Sequence, residues 1–402
     1  MKKLDALFAL LKKPSIILGV YLVVAAGAAI HLELFDIFSE YKEGSENFIM
    51  NSSMNNYIIY QDSFLHLIHH ETLYGYHWSE YYDWYLYSPS FPFIIMPFAL
   101  LPKYIGVVLW CVFNALALFY AVKLLNIDEK KKVFIWWFVL QELLTSIQNV
   151  QVNPVVAALF ILTFVAFERK KVGLAALIIA ASMFIKVFGI VGASLFLLYP
   201  QRLKFIGYLI FWSAIVFLLP LVFIPFDELT KQYLGWYNTI INLHSTNVND
   251  LSVMSLLSIH LHFTMSDALR YAMQGIAVIL FCIKYIRYKS YGDEQFKLLF
   301  LASILVWTTI FNNAVESPSF IIAITGVAIW YIADTKSKLN LALLIFAFIF
   351  TSMAYTDLFP RYLKTNFFIP YAIKCLPCFL IWMKIEYELI FRKRTKMQAL
   401  NA

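Results

Sequence analysis

Charge is what this sequence lacks first. Only 14% of its 402 residues are Asp, Glu, Lys or Arg, whereas soluble domains carry about 25%. That shortfall, with 61% hydrophobic residues and a mean hydropathy of +0.70, excludes an ordinary soluble protein and reads as a polytopic membrane protein. Cysteine is also scarce: Cys111, Cys282, Cys375 and Cys378 are the whole set, each within or at the end of an apolar run. Cys375-Leu-Pro-Cys378 lacks the strand-then-helix context of a redox motif, so the cysteines read as packing residues. Internal repeats and low-complexity linkers are absent, and residues 1–402 are read as a single multispanning membrane domain. The net charge of +7 does not signal nucleic acid, because Lys and Arg fall in short clusters between apolar runs, as loops on the cytoplasmic side carry them. No nucleic-acid partner is expected.

What the chain does have is apolar runs. Measured against the roughly 20 residues of a crossing, they predict about 12 transmembrane helices, near residues 15–31, 104–125, 133–147, 154–167, 172–185, 187–199, 205–224, 268–286, 297–311, 318–333, 339–354 and 369–385. Several are short, which protein neighbours rather than lipid can accommodate. The N-terminal MKKLDALFALLKK and its apolar run read as an uncleaved first span, with no convincing small-residue cleavage site.

One charge interrupts the run Val172 to Leu198, namely Lys186. An ammonium at bilayer depth costs about 2.5 to 3.5 kcal/mol on the most lenient scale. If the run were one helix, the cluster Arg169-Lys170-Lys171 and the pair Arg202/Lys204 would face opposite sides and every later basic cluster would invert. If it is a hairpin, most of the chain's 32 Lys and Arg residues fall on one side, with both termini cytoplasmic. The hairpin is therefore expected, with Lys186 at an outward turn.

The outward segments then hold the polar chemistry. The loop over residues 32–103 presents Glu33, Asp36, Glu40, Glu43, Glu46, Asp62, Glu71, Glu80 and Asp83, and carries interfacial helices. In SPSFPFIIMPFALLPK, Pro89, Pro92 and Pro97 argue for a short interfacial helix. Trp78, Tyr81, Tyr82 and Tyr85 recur at helical spacing and predict one aromatic face, serving either as an interfacial belt or as a platform for sugar or prenyl groups. His66, His69 and His70 at i, i+3 and i+4 lack the Glu placement of HExxH, and no metal site is expected. The turn QNVQVNP brings Gln148, Asn149, Gln151 and Asn153 together, amides suited either to hydroxyl recognition or to capping. TNVNDLSVMSL, with Asn249 and Ser252, and NNAVESP, with Glu316, are further polar knots.

These segments resemble a known family. The acidic first loop, YSPSFPFIIMPFALLPKYIGVVLW, and QVNPVVAALFILTFVAFERKKVGLAALIIAASMFIKVFG ending in LFLLYP are similar to glycosyltransferase family 87, with NDLSVMSLL and ESPSFIIA as later echoes. The resemblance implies the multispanning type-C (GT-C) fold and an integral plasma-membrane protein with an extracytoplasmic active site. It also implies transfer of a hexose, mannose-like, from a polyprenyl-phosphate donor to a glycan or lipid acceptor, with no cofactor beyond that donor and a requirement for a divalent ion left open. The chain departs from the family where an Asp is usual, reading Asn55-Asn56-Tyr57-Ile58-Ile59-Tyr60. An amide cannot take a proton, so Asp62, Asp83 and Glu316 are the candidate catalytic carboxylates. Asn55, Asn56, Tyr60, Tyr87, Gln148, Gln151, Asn153, Lys186, Asn249 and Ser252 are the candidate substrate contacts, Lys186 as the cation that meets developing phosphate charge. Two rivals stay open: a transporter of lipid-linked sugars, and a catalytically silent subunit, for which Asn55 and Asn56 speak.

Overall fold

A computed structural model describes Asp5 and residues 9–36, 39–43, 47–242, 250–313, 315–333 and 337–391. Glu46, Asn249, Lys336 and the basic run from Arg392 lie outside the described residues. Apart from one antiparallel hairpin, β1 (Ser39–Glu43) paired with β2 (Asn47–Asn51), every regular element described is helical.

The chain divides into two compact units, residues 1–193 with 203–247 and residues 194–202 with 248–402. The first contains α1 (Pro14–Leu34), α2 (Asn55–Ile68), α3 (Pro92–Ala99), α4 (Lys103–Leu124), α5 (Glu129–Gln148), α6 (Asn153–Glu168), α7 (Val172–Ile185), most of α8 (Arg202–Leu218) and α9 (Phe226–Asn242). Proline sits in the opening positions of α1, α3 and α6, where the missing N–H costs nothing. α1 packs on α4 and α5. Tyr21 of α1 donates to the Trp136 carbonyl at 2.8 Å, and the Trp136 ring stacks on Phe119 at 4.4 Å.

The second unit contains α10 (Val253–Leu261), α11 (Asp267–Ile283), α12 (Glu294–Ile310), α13 (Phe320–Ala333), α14 (Lys338–Ala347) and α15 (Cys375–Phe391). α13 is buried along nearly its whole length against α12, α14 and α15. Side-chain caps set several starts: Ser252, Ser266, Asp293 and Ser337 each accept a backbone N–H of the first turn.

Among the described residues, four helical stretches are long and apolar enough to cross a membrane, Pro14–Leu34, Lys103–Leu124, Arg202–Val222 and Asp267–Ser290. Shorter apolar helices fill the positions of most other expected crossings, including Asn153–Glu168, Val172–Ile185 and Ser317–Ala333. The long stretches carry bare apolar side chains: Leu203 is 85% exposed, and Ile210, Ile279 and Ile286 are also exposed. A surface of that kind suits lipid rather than water. The expected last run, 369–385, is displaced: its helix begins only at Cys375, after a left-handed residue at Ala372.

The break at Lys186 is real and it is a fold-back. α7 ends at Ile185, Lys186 is extended (φ −140°, ψ 126°), and a 3-10 helix runs Val187–Leu198. A Cβ built on Gly189 would stand 2.4 Å from the Ser182 backbone, and one on Gly192 would stand 3.7 Å from Ile179. Position 189 beside 182 and 192 beside 179 is the pairing of an antiparallel turn. Only a residue without a side chain lets the returning 3-10 helix lie that close at 189.

The aromatic helix face expected from Trp78, Tyr81, Tyr82 and Tyr85 does not form. Residues 71–91 are turns and irregular backbone. Tyr81 and Tyr85 are buried, whereas Tyr82 is exposed. Tertiary hydrogen bonds satisfy this backbone in place of a helical ladder: Asn55 bonds both Tyr82 N–H and its carbonyl, Gln232 accepts from Leu73 N–H, and Trp236 donates to the Leu86 carbonyl.

Candidate functional site

Helix α2 is the wall on which the first unit's polar chemistry is arranged. At 100° per residue, Asn56, Tyr60 and Ser63 share one stripe, and Asn55, Asp62 and His66 share another. Tyr57 and Gln61 point a third way and hold the helix to α3, bonding the carbonyls of Phe98 and Ala99.

The first stripe leads to Lys186. Tyr60 and Tyr87 share a 2.8 Å hydroxyl–hydroxyl bond, and their rings meet edge to face at 5.1 Å. The Lys186 ammonium lies 5.8 Å from the Tyr87 ring centre, a weak cation–π distance, and donates to Asn153 Oδ1 at 2.8 Å. Asn153 is 1% exposed, and its Nδ2 has no hydrogen-bond partner among the described residues. α6 opens at this same residue, so its positive N-terminal end belongs to the corner. An ammonium, an unspent amide N–H₂ and a helix N-terminus together form an anion-binding arrangement. Ser88 closes the corner from outside by donating to the Phe184 carbonyl at the end of α7. Asn56 extends it toward the amide turn through a 2.8 Å bond to the Asn149 carbonyl.

The second stripe faces residues 72–82. His66 Nε2 lies 2.8 Å from Glu80 and 3.7 Å from Glu71, and the His66 ring stacks on His77 at 4.3 Å. Burial, reinforced by the Glu80 charge, pushes the Asp62 carboxyl up to about 6 despite the opposing pull of His66 and Lys103. Burial and the neighbouring His66 hold His77 below the usual imidazole range. Asp62 is thus a stronger base than an ordinary aspartate. It stands two residues, about 3 Å of rise and about 200° of turn, beyond Tyr60, so it faces residues 72–82 rather than the Lys186 corner.

The remaining expected residues fall elsewhere. Asp83 is exposed, takes a left-handed φ of 88° and caps Trp84 N–H. Asn55 spends its whole amide on Tyr82 and acts as a clip for the loop. Gln148 is exposed and Gln151 buried. The three histidines diverge instead of converging: His66 turns inward, while His70 reaches Glu228 at 2.8 Å. In the second unit, Ser252 is the N-cap of α10 and bonds Asp250, which also meets Arg270 at 3.2 Å and Val315 N–H. Glu316 is exposed beside Ser317, whose hydroxyl accepts from the buried Lys374.

Residues 85–356 match the model of glycosyltransferase family 87, well over half of the chain. The chain belongs to glycosyltransferase family 87. No curated protein matches it. The stretch shared with family 87 takes in Tyr87, Ser88, Asn153, Lys186, Ser252 and Glu316, whereas α2, with Asp62 and Tyr60, precedes it. Membership makes the chain a glycosyltransferase acting on a sugar donor and an acceptor, and its bare apolar helices make it a membrane protein of that family.

Sequence reasoning missed two features of this family 87 chain. His77 and Glu80 carry no periodic signal, because they lie in irregular backbone that tertiary contacts shape. The Asp250–Arg270 pair was passed over because it joins a turn to a helix 20 residues on, although an Asp two residues before a Ser-capped helix signals a polar turn.

Proposed function

We propose that this family 87 enzyme transfers a mannose-like hexose from a polyprenyl-phosphate donor to an extracytoplasmic glycan or lipid acceptor. It does so as one multispanning plasma-membrane domain with both termini in the cytoplasm. The observation that carries the reading is the corner of Lys186, Asn153 and the α6 N-terminus. A donor phosphate fits there: its oxygens accept from the ammonium and from the unspent Asn153 amide.

In the reaction, the acceptor hydroxyl oxygen bonds to the anomeric carbon while the bond from that carbon to the phosphate oxygen breaks. The leaving phosphate keeps the electron pair, and Lys186 stabilises its added charge. The acceptor's proton passes to a carboxylate, and Asp62 is the best placed of the three candidates. Burial and the Glu80 charge raise its basicity, and no described residue donates a hydrogen bond to it. Asp62 takes the role that Asn55 and Asn56 cannot fill.

The test is transfer of radiolabelled sugar from polyprenyl-phosphate mannose or glucose in membranes containing the wild type, Lys186→Met, Asp62→Asn, Asp83→Asn and Glu316→Gln. Loss in Lys186→Met and Asp62→Asn, at equal protein level, is the expected result. Full activity in Lys186→Met, or loss confined to Asp83→Asn or Glu316→Gln, overturns the assignment.

A further inference from the structure

The cluster on the second stripe of α2 has a composition that sugar transfer does not require. His66, His77 and Glu80 each offer a ligand atom, and the three atoms lie within 4.8 Å of one another. His66 is almost wholly buried, and the ring nitrogens turned away from Glu80, His66 Nδ1 and His77 Nε2, have no hydrogen-bond partner among the described residues. Glu80 Oε2 already lies 2.8 Å from His66 and 3.6 Å from His77, so one carboxylate oxygen bridges both imidazoles. Glu71 stands next, 3.7 Å from His66.

We propose that His66, His77 and Glu80 bind a divalent transition-metal ion of the zinc class. Two imidazoles and a carboxylate are a set that zinc takes, leaving a fourth position for Glu71 or water. Zinc bonds of about 2.0–2.1 Å place ligand atoms about 3.4 Å apart, so the 2.8 Å His66–Glu80 pair opens slightly while the widest pair, within 4.8 Å, closes by about 1.4 Å at most. His77 makes that movement: it is the less buried histidine, sits in irregular backbone, and turns its ring out of the stack with His66 and away from the Thr72 carbonyl. The ion ties helix α2 to residues 77–80 and thereby holds the loop that carries Tyr81, Tyr82 and, further on, Tyr87. It acts as a staple for the wall of the site and requires no particular sugar or acceptor.

The experiment uses the full-length protein, purified in detergent and stripped with EDTA, then titrated with Zn²⁺. Bound metal is counted by elemental analysis and the thermal midpoint is recorded. The wild type is expected to retain a stoichiometric ion through desalting and to melt higher with zinc, since an ion that binds only the folded state stabilises it. His77→Gln and Glu80→Gln are expected to lose both effects. The double variant His69→Ala/His70→Ala, which alters exposed imidazoles outside the cluster, is expected to keep both. A wild type that retains no zinc overturns the proposal. So does a His77→Gln protein that binds like the wild type, or a His69→Ala/His70→Ala protein that loses the ion. Because these readouts do not include transfer, their failure leaves the glycosyltransferase reading untouched.

Discussion

At the scale of the residue, Asn153 and Asp62 separate catalysis from stability in opposite ways. Asn153 offers Oδ1 to Lys186 and leaves Nδ2 unspent. Asn153→Asp keeps the first contact and strengthens it to an ion pair, but sets a negative charge where the proposed donor phosphate would bind. Transfer in membranes is expected to fall about 100-fold or more, as for loss of one preorganised donor, while the thermal midpoint of the purified protein holds or rises. A midpoint that drops with the activity makes Asn153 a packing residue. For Asp62, the folded pKa of about 6 lies above its ordinary value of 3.8, with burial the larger cause and Glu80 the next. A raised carboxyl pKa means that the folded state binds the proton more tightly. Its stability is therefore greatest at low pH and declines as pH rises through about 6. Measured in EDTA, the thermal advantage of Asp62→Asn over the wild type should be larger at about pH 8 than at about pH 5. An advantage independent of pH removes the buried-charge account.

At the scale of the element, the fold-back at Lys186 is the feature most open to direct proof. Ile179 and Gly192 face each other across the turn, with 3.7 Å from a Cβ at 192 to the Ile179 side chain. The pair Ile179→Cys/Gly192→Cys, in a background with Cys282 replaced by Ser, should form a disulfide under mild oxidation. Formation is read by mass spectrometry of the digested protein. In a continuous helix, residues 13 positions apart lie about 20 Å apart and cannot bond. The same turn explains how much the sequence revealed. Lys186 inside an apolar run marked it, because charge distribution forbids the straight alternative, and proline marked the short helix at Pro92 and the start at Asn153, whereas the helix at Val253 was not expected. Lys186 and Asn153 were legible singly, a lone charge in an apolar run and an amide in a polar turn, but their meeting with Tyr60 and Tyr87 was not. Residues 71–91 were not legible. Trp78, Tyr81, Tyr82 and Tyr85 satisfy a helical period locally, but Asn55, Gln232 and Trp236 reach in from distant helices to bond that backbone, and tertiary bonds of this kind leave no trace in local spacing. The His66, His77 and Glu80 cluster was hidden with them.

At the scale of the whole molecule, the claim that matters is sidedness, because transfer from a lipid-linked donor on the outer face requires the amide turn and the Lys186 turn to lie there. Both turns belong to the same unit and are joined by the Lys186–Asn153 bond. A side chain at position 149, exposed at the end of α5, therefore reports on the corner without entering it. The opposite end of α5 begins at Glu129, followed by Lys130, Lys131 and Lys132, and such a basic cluster belongs in the cytoplasm. Of the four cysteines only Cys282 is exposed, so a Cys282→Ser background is quiet toward a membrane-impermeant maleimide. In that background, Asn149→Cys should label in intact cells, whereas Lys130→Cys should label only after permeabilisation. α5 spans 20 residues, about 30 Å of helix, enough to hold its two ends on opposite sides. Labelling in the reverse order would place the phosphate corner at the cytoplasmic face. There the donor would need no outward delivery, and the extracytoplasmic reading would fall while family membership stood.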